Sequence, residues 1–195
     1  MNLDEVTRWP DYVDQNGERF DLSFLNAKKV TYTHQKEGKP DVTYDFWVTY
    51  SLHCFTKDYE HLSHSESQSL MYYSPKKKNE TPVEERPFCL RRYSLAAEHL
   101  CQIVEHLGAR EYVVKDGGYE SYLAVKVLTA SGETIWYNVP FKVFRQQKKY
   151  RLHVLSAYPS EEQRGGGKVG FFAIAYSLRM NKKLPSNPHK GRRRK

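Results

Sequence analysis

Residues 94–107 read SLAAEHLCQIVEHL, and four segments rich in β-forming residues follow them, at 110–115, 121–129, 134–145 and 149–158. Ala96, Leu100, Ile103, Val104 and Leu107 fall at helical spacing and form a single apolar stripe, which predicts an amphipathic helix. Ser94 is suited to cap its start and Gly108 to end it. The separators DGG (116–118) and ASGE (130–133) have turn composition. The four segments therefore predict an antiparallel four-stranded meander that stops at Pro159. A helix with one apolar stripe needs a surface on which to bury it, and one face of such a sheet supplies that surface. The expected fold class is α+β.

Working outward, KKVTYTHQ (28–35), KEGKPD (36–41) and VTYDFWVTYSLHCFT (42–56) read as strand, turn and strand, an N-terminal β-hairpin. In its second strand Val42, Tyr44, Phe46, Val48 and Tyr50 share one face. Residues 1–27 read as a polar N-terminal arm, and 28–181 as a single α+β domain. Within it, 57–87 carries a His/Ser cluster, a Lys run and two prolines near its end, the composition of a long loop with little structure of its own. VGFFAIAYSLRM (169–180) is apolar enough for a buried strand or a short helix, and its periodicity suits either. Residues 182–195 are read as a disordered basic tail.

The chain has 195 residues and a formal net charge of +8. The tail KKLPSNPHKGRRRK (182–195) holds seven Lys or Arg and no acid, so the other 181 residues net only +1. The charge belongs to an appendage, not to a basic fold. A run of cations attracts any polyanion, which makes Lys182, Lys183, Lys190, Arg192, Arg193, Arg194 and Lys195 candidates for nucleic-acid contact. No apolar run approaches the length of a membrane span, and the N-terminus (MNLDEVTRWPD) does not resemble a signal peptide. No membrane partner is expected. Three cysteines are too few for a disulfide framework, so a reducing cytoplasm is expected. GGGK (165–168) lacks the flanking spacing and the Ser/Thr of a phosphate loop and reads as a flexible turn.

Several residues suit phosphodiester chemistry. On the last strand Arg151 and His153 share a face, and Lys126, Tyr137 and Lys142 offer further polar groups to the sheet. Cleavage of RNA without a metal needs a base for the 2′-hydroxyl, a cation for the phosphorane charge and an acid for the leaving oxygen. His153 and His53 suit the proton transfers, and Arg151 and Lys126 suit the charge. His53, Cys54, His61 and His64 lie within twelve residues but lack a recognised zinc spacing. No metal site or cofactor is assigned to them. Arg91 and Arg92, at the expected start of the helix, suit phosphate binding beside its free N–H groups or, equally, ion pairs to Glu84, Glu85 or Glu98.

The closing strand carries Leu152, Val154, Ser156, Ala157, Tyr158 and Pro159, the order hydrophobic–x–hydrophobic–x–Ser–Ala–Tyr–Pro. With the preceding helix and meander, residues 94–160 resemble the barnase/EndoU/colicin/RelE-like ribonuclease toxins. The resemblance implies positioning roles for Ser156 and Tyr158, with a helper His or Arg upstream. The expected function is thus a metal-independent, toxin-like endoribonuclease, with RNA as the favoured partner and a cognate antitoxin or immunity protein as a second. The alternative is a non-catalytic RNA- or DNA-binding module of a phage or mobile element. The 15 tyrosines suit stacking on single strands equally well.

Overall fold

The architecture is that of a computed structural model, which describes residues 6–75, 84–110, 113–115, 122–130, 133–162 and 166–185. Two short strands, β1 (Tyr12–Val13) and β2 (Arg19–Phe20), precede a long hairpin of β3 (Lys28–Lys36) and β4 (Lys39–Tyr50). Then come α1 (His64–Ser69), β5 (Met71–Tyr73) and β6 (Glu85–Pro87). The main helix runs as α2 (Leu90–Leu95), a π segment (Ala96–Leu100) and α3 (Cys101–Glu105). Strands β7 (Val113–Lys115), β8 (Tyr122–Ala130), β9 (Glu133–Gln146), β10 (Lys149–Val154), β11 (Tyr158–Ser160) and β12 (Gly167–Val169) lead to α4 (Phe171–Arg179).

Eight strands form one sheet in the order β12-β7-β8-β9-β10-β4-β3, with β11 beside β9. Neighbours are antiparallel except β10 and β4, which run parallel, with Tyr150 opposite Phe46 and Val154 opposite Tyr50. This single parallel pair joins the hairpin to the later strands, so what reads as two β units in the sequence is one sheet. The protein is mixed α+β, and mostly strand.

The front face of the sheet is the core. Tyr44, Phe46, Val48 and Tyr50 of β4, Leu152 and Val154 of β10, and Tyr137, Val139, Phe141 and Val143 of β9 are all buried there. The helix stripe of Ala96, Leu100, Ile103, Val104 and Leu107 is buried with them. The α4 stripe of Phe171, Ile174, Ala175 and Leu178 is also buried. The Tyr32 hydroxyl donates to the Val104 carbonyl at 2.7 Å, fixing β3 against the end of the helix. Each fully buried large side chain contributes roughly 1.5–3 kcal/mol of hydrophobic stabilisation.

Several expectations need correction. The helix begins at Leu90, not Ser94, with Cys89 at its N-cap and no side-chain cap. Arg91 and Arg92 are therefore its second and third residues. Gly108 does not end it as a left-handed cap. It lies in a 3-10 turn (Leu107–Ala109) where the Phe172 ring packs so closely that an added Cβ would meet its Cζ at 2.9 Å. Of the expected N-terminal arm, residues 6–27 are described, and they pack into the body, with Trp9, Tyr12, Leu22 and Leu25 as core residues. The 57–87 stretch carries α1, closed by a capping box from Ser63 and Glu66, and the β5–β6 pair. The segment after residue 169 is a helix. The last meander strand is broken: β10 ends at Val154, and Pro159 sits inside β11 instead of stopping it. Of the tail, residues 182–185 belong to the folded body. Leu184 packs on the core, and the Tyr122 hydroxyl donates to the Pro185 carbonyl at 2.8 Å. Lys190, Arg192, Arg193, Arg194 and Lys195 lie outside the described residues. No helix among the described residues is long and apolar enough to cross a membrane.

Candidate functional site

The break between β10 and β11 brings a group of polar side chains together. Ser156 turns its hydroxyl to the His53 carbonyl, donating at 3.1 Å. His53 sits in a 3-10 turn (Leu52–Cys54) that follows β4 and is capped by Ser51. The same carbonyl accepts from the Arg92 guanidinium at 3.2 Å, and Arg92 also donates to the Thr56 carbonyl at 2.7 Å. Its Cζ stands 5.8 Å from the centre of the Tyr158 ring. Helix start, turn and closing strand are thus tied together by one half-buried guanidinium. Charge-assisted bonds of this kind are the stronger class. Arg92 makes no pair to Glu84, Glu85 or Glu98.

His53 Nε2 lies 3.0 Å from Glu84 Oε1. Burial first, and then the Arg86 charge, hold the His53 pKa below its ordinary value, while Glu84 opposes them. Arg86 itself pairs with Asp58 at 2.7 Å. Cys54 is fully buried and its thiol is pushed up to about 12 by that burial, whereas His61 and His64 are exposed.

A second group lies on the front face, along the same strands. Lys126 of β8 pairs across the ladder with Tyr137 of β9. Lys126 Nζ stands 3.4 Å from His99 Nδ1. The other ring nitrogen of His99 faces Glu98 Oε1 at 3.4 Å. His99 sits in the π segment, an irregularity often found at functional sites. Burial, then the neighbouring Lys126 charge, lower its pKa, which favours the neutral imidazole. The Tyr137 ring lies 6.3 Å away. Its hydroxyl is buried without a hydrogen-bond partner among the described residues, and burial pushes its pKa far up.

A cleft of about 750 Å³ beside β11 is lined by Arg91, Thr134, Ile135, Pro159, Ser160, Glu161 and Glu162, chain neighbours of both groups and members of neither. Ile135 is the next residue on the same face as Tyr137, and Pro159 pairs with Tyr137 across the ladder. Tyr137, opposite both Pro159 and Lys126, therefore stands between the cleft lining and the Lys126–His99 pair on one sheet face, and Arg91 in the lining is exposed.

The back face holds the rest of the expected constellation. His153 lies opposite Lys142 on β9 and opposite Thr49 on β4, and Thr49 Oγ1 is 3.0 Å from its Nδ1. Arg151 lies opposite Phe144, its Nε buried without a partner among the described residues. Lys126 and Tyr137 are on the front. The expected single face carrying His153, Arg151 and Lys126 is therefore not formed, because strand alternation sends them to opposite sides of the sheet. Ser156 and Tyr158 do join Arg92 and His53. Lys182 and Lys183 are exposed at the end of α4, with Lys182 Nζ 5.4 Å from the Tyr176 ring. His99 is the residue that sequence reasoning missed. A signal existed, since it stands three residues after Ala96 and four before Ile103, on the margin of the buried stripe.

Comparison with known proteins adds two matches. Residues 10–179 match the YjaZ family. "Protein YjaZ" of Escherichia coli (strain K12) is 48% identical over 181 residues, covering 93% of this chain and 96% of that protein. No solved structure matches the chain.

Proposed function

The chain belongs to the YjaZ family, and from that premise we propose that it acts on RNA, as a metal-independent endoribonuclease working at the cleft beside Ser156–Ser160. The observation that carries the proposal is the Lys126–His99 pair, which shares its sheet face with Ile135, a residue that lines the cleft with Arg91. A neutral imidazole is the form required of a general base. It takes the 2′-hydroxyl proton, O2′ bonds to phosphorus, and the P–O5′ bond breaks. O5′ then receives a proton from the imidazolium, leaving a 2′,3′-cyclic phosphate and a 5′-hydroxyl. Lys126 and Arg91 face the charge that builds on the phosphorane oxygens. Arg92, Ser156, Tyr158 and His53 are positioning residues, since they hold the closing strand to the helix start.

The test is incubation of purified protein with a defined RNA oligonucleotide in EDTA. Cleavage to 2′,3′-cyclic ends is expected, and His99→Ala is expected to lower it by about 10²–10⁴-fold, the usual worth of a general base. His153→Ala, on the other face, should leave it intact. RNA that survives the wild-type protein overturns the catalytic proposal.

A second reading is supported by one specific observation. Arg92, Ser156 and His53 all commit polar groups to main-chain carbonyls or to Glu84. That suits a rigid RNA-binding surface without cleavage. Its signature is a salt-dependent gel shift with no cleavage product.

A further inference from the structure

A second cleft, of about 730 Å³, opens where the β3–β4 hairpin meets the start of α4. Its walls are apolar and aromatic. The Phe172 ring stacks on His34 with centroids 4.2 Å apart and planes 9° from parallel. Tyr44 approaches Phe172 at 6.1 Å. Tyr176, half exposed at 48%, stands at the mouth. Around this apolar floor stand Lys36, Lys39, Arg110 and His34, and no Asp or Glu lines the cleft. Arg110 donates to the Val125 carbonyl at 2.7 Å, while its Nε is buried without a partner among the described residues. The first turn of α4 also opens here and has no side-chain cap, which leaves its positive end toward the cleft.

We propose that this cleft is a binding site for a small amphiphilic anion, a medium-chain carboxylate with its apolar chain over Phe172 and Tyr176 and its head toward Lys36, Lys39 and Arg110. Two features select this chemistry. An apolar floor with several cations and no acid matches a ligand that is apolar along its length and negative at one end. The lining contains no side-chain amide, no carboxylate and no Ser or Thr hydroxyl, so it offers little to the polar edges of a nucleobase. The cleft lies apart from the one beside β11 and shares no lining residue with it.

The probe is sodium decanoate below its micellar concentration, followed by calorimetry and by displacement of anilinonaphthalene sulfonate fluorescence. Saturable one-site binding is expected. The double variant Lys36→Glu/Lys39→Glu, changed only at exposed positions, should weaken it by about tenfold or more, the effect of losing 1.4 kcal/mol of attraction. Ala173→Trp, at an exposed helix position on the wall, should fill the cleft and abolish binding without unfolding the protein. Decanol should bind less tightly than decanoate. Binding that is absent, that ignores both variants, or that is equal for decanol and decanoate overturns the proposal. So does a dimer in solution that Ala173→Trp dissociates, since that assigns the cleft to a second copy of the chain.

Discussion

The two clefts of this protein use positive charge in opposite ways. Next in the chain to the Arg91 that lines the first, beside β11, Arg92 is fixed: it is half-buried and bonded to two main-chain carbonyls. Exposed Arg91 shares that rim with Glu161 and Glu162. At the second, Lys36 and Lys39 are exposed at a hairpin end above an apolar floor. A buried guanidinium holding carbonyls is architecture as much as recognition. An exposed lysine over a greasy wall adds little to stability and is available to a ligand. The neighbours Arg91 and Arg92 make the same contrast one residue apart.

The largest expected effect tests that contrast directly. Arg92→Ala leaves the Thr56 carbonyl without its side-chain donor and the His53 carbonyl with Ser156 alone, and should cost about 2–4 kcal/mol of stability, read as a lower urea midpoint at unchanged slope. Arg91→Ala should stay within about 0.5 kcal/mol yet weaken RNA binding. Equal stability losses would erase the distinction between the two arginines.

Next in size is the contribution of the C-terminal cations to polyanion affinity. Because Leu184 and Pro185 are packed on the body, the informative deletion is 186–195, which removes five Lys or Arg. On single-stranded RNA each lost phosphate contact should reduce the slope of log affinity against log salt by about 0.7. A salt slope unchanged by the deletion would assign RNA affinity to the first cleft alone.

Gly108→Ala probes the second cleft from beneath. The new Cβ would stand 2.9 Å from Phe172 Cζ, so the ring must shift from its stack on His34. The expected cost is about 1–2 kcal/mol, with a measurable loss of decanoate affinity. Full stability together with full affinity would show that Phe172 does not shape that floor.

What was legible in the sequence follows from periodicity. The helix stripe and the Val42–Tyr50 face read correctly because one element buries one face, and alternation reports that directly. The parallel β10–β4 pairing was not legible, since it joins residues about a hundred positions apart and no local pattern encodes it. The β9–β10 turn was equally silent. It places Gln147 and Lys148 at positive φ, where Asn or Gly would ordinarily announce a hairpin. At the candidate site Ser156 and Tyr158 were read from a short motif. The Lys126–His99 pair depends on a π segment that rotates the helix by part of a turn, and the spacing of apolar residues does not reveal that.

The smallest effect is a pH dependence, and it separates the His99 cluster from the His53 cluster. His99 and His53 both have lowered pKa values, chiefly from burial. The unfolded chain therefore takes up a proton at each site, near the ordinary value of about 6.5, before the folded protein does. Their effect on stability is absent above that value. Stability is lost as pH falls through it toward the lower folded values. Between pH 7 and pH 5 the urea midpoint of the wild type should decline, and His99→Gln should flatten part of that decline while His53 supplies the remainder. Each histidine has a cation that lowers its pKa and a carboxylate that raises it, Lys126 and Glu98 for His99, Arg86 and Glu84 for His53. Lys126 depresses His99, so Lys126→Met should relieve part of the acid sensitivity and move the acid limb of RNA cleavage to higher pH. Glu84 supports the charged form of His53, so Glu84→Gln should increase the acid sensitivity and leave the cleavage profile in place. A cleavage profile that followed Glu84→Gln instead of Lys126→Met would transfer the base from His99 to His53, from the π segment of the helix to the turn after β4.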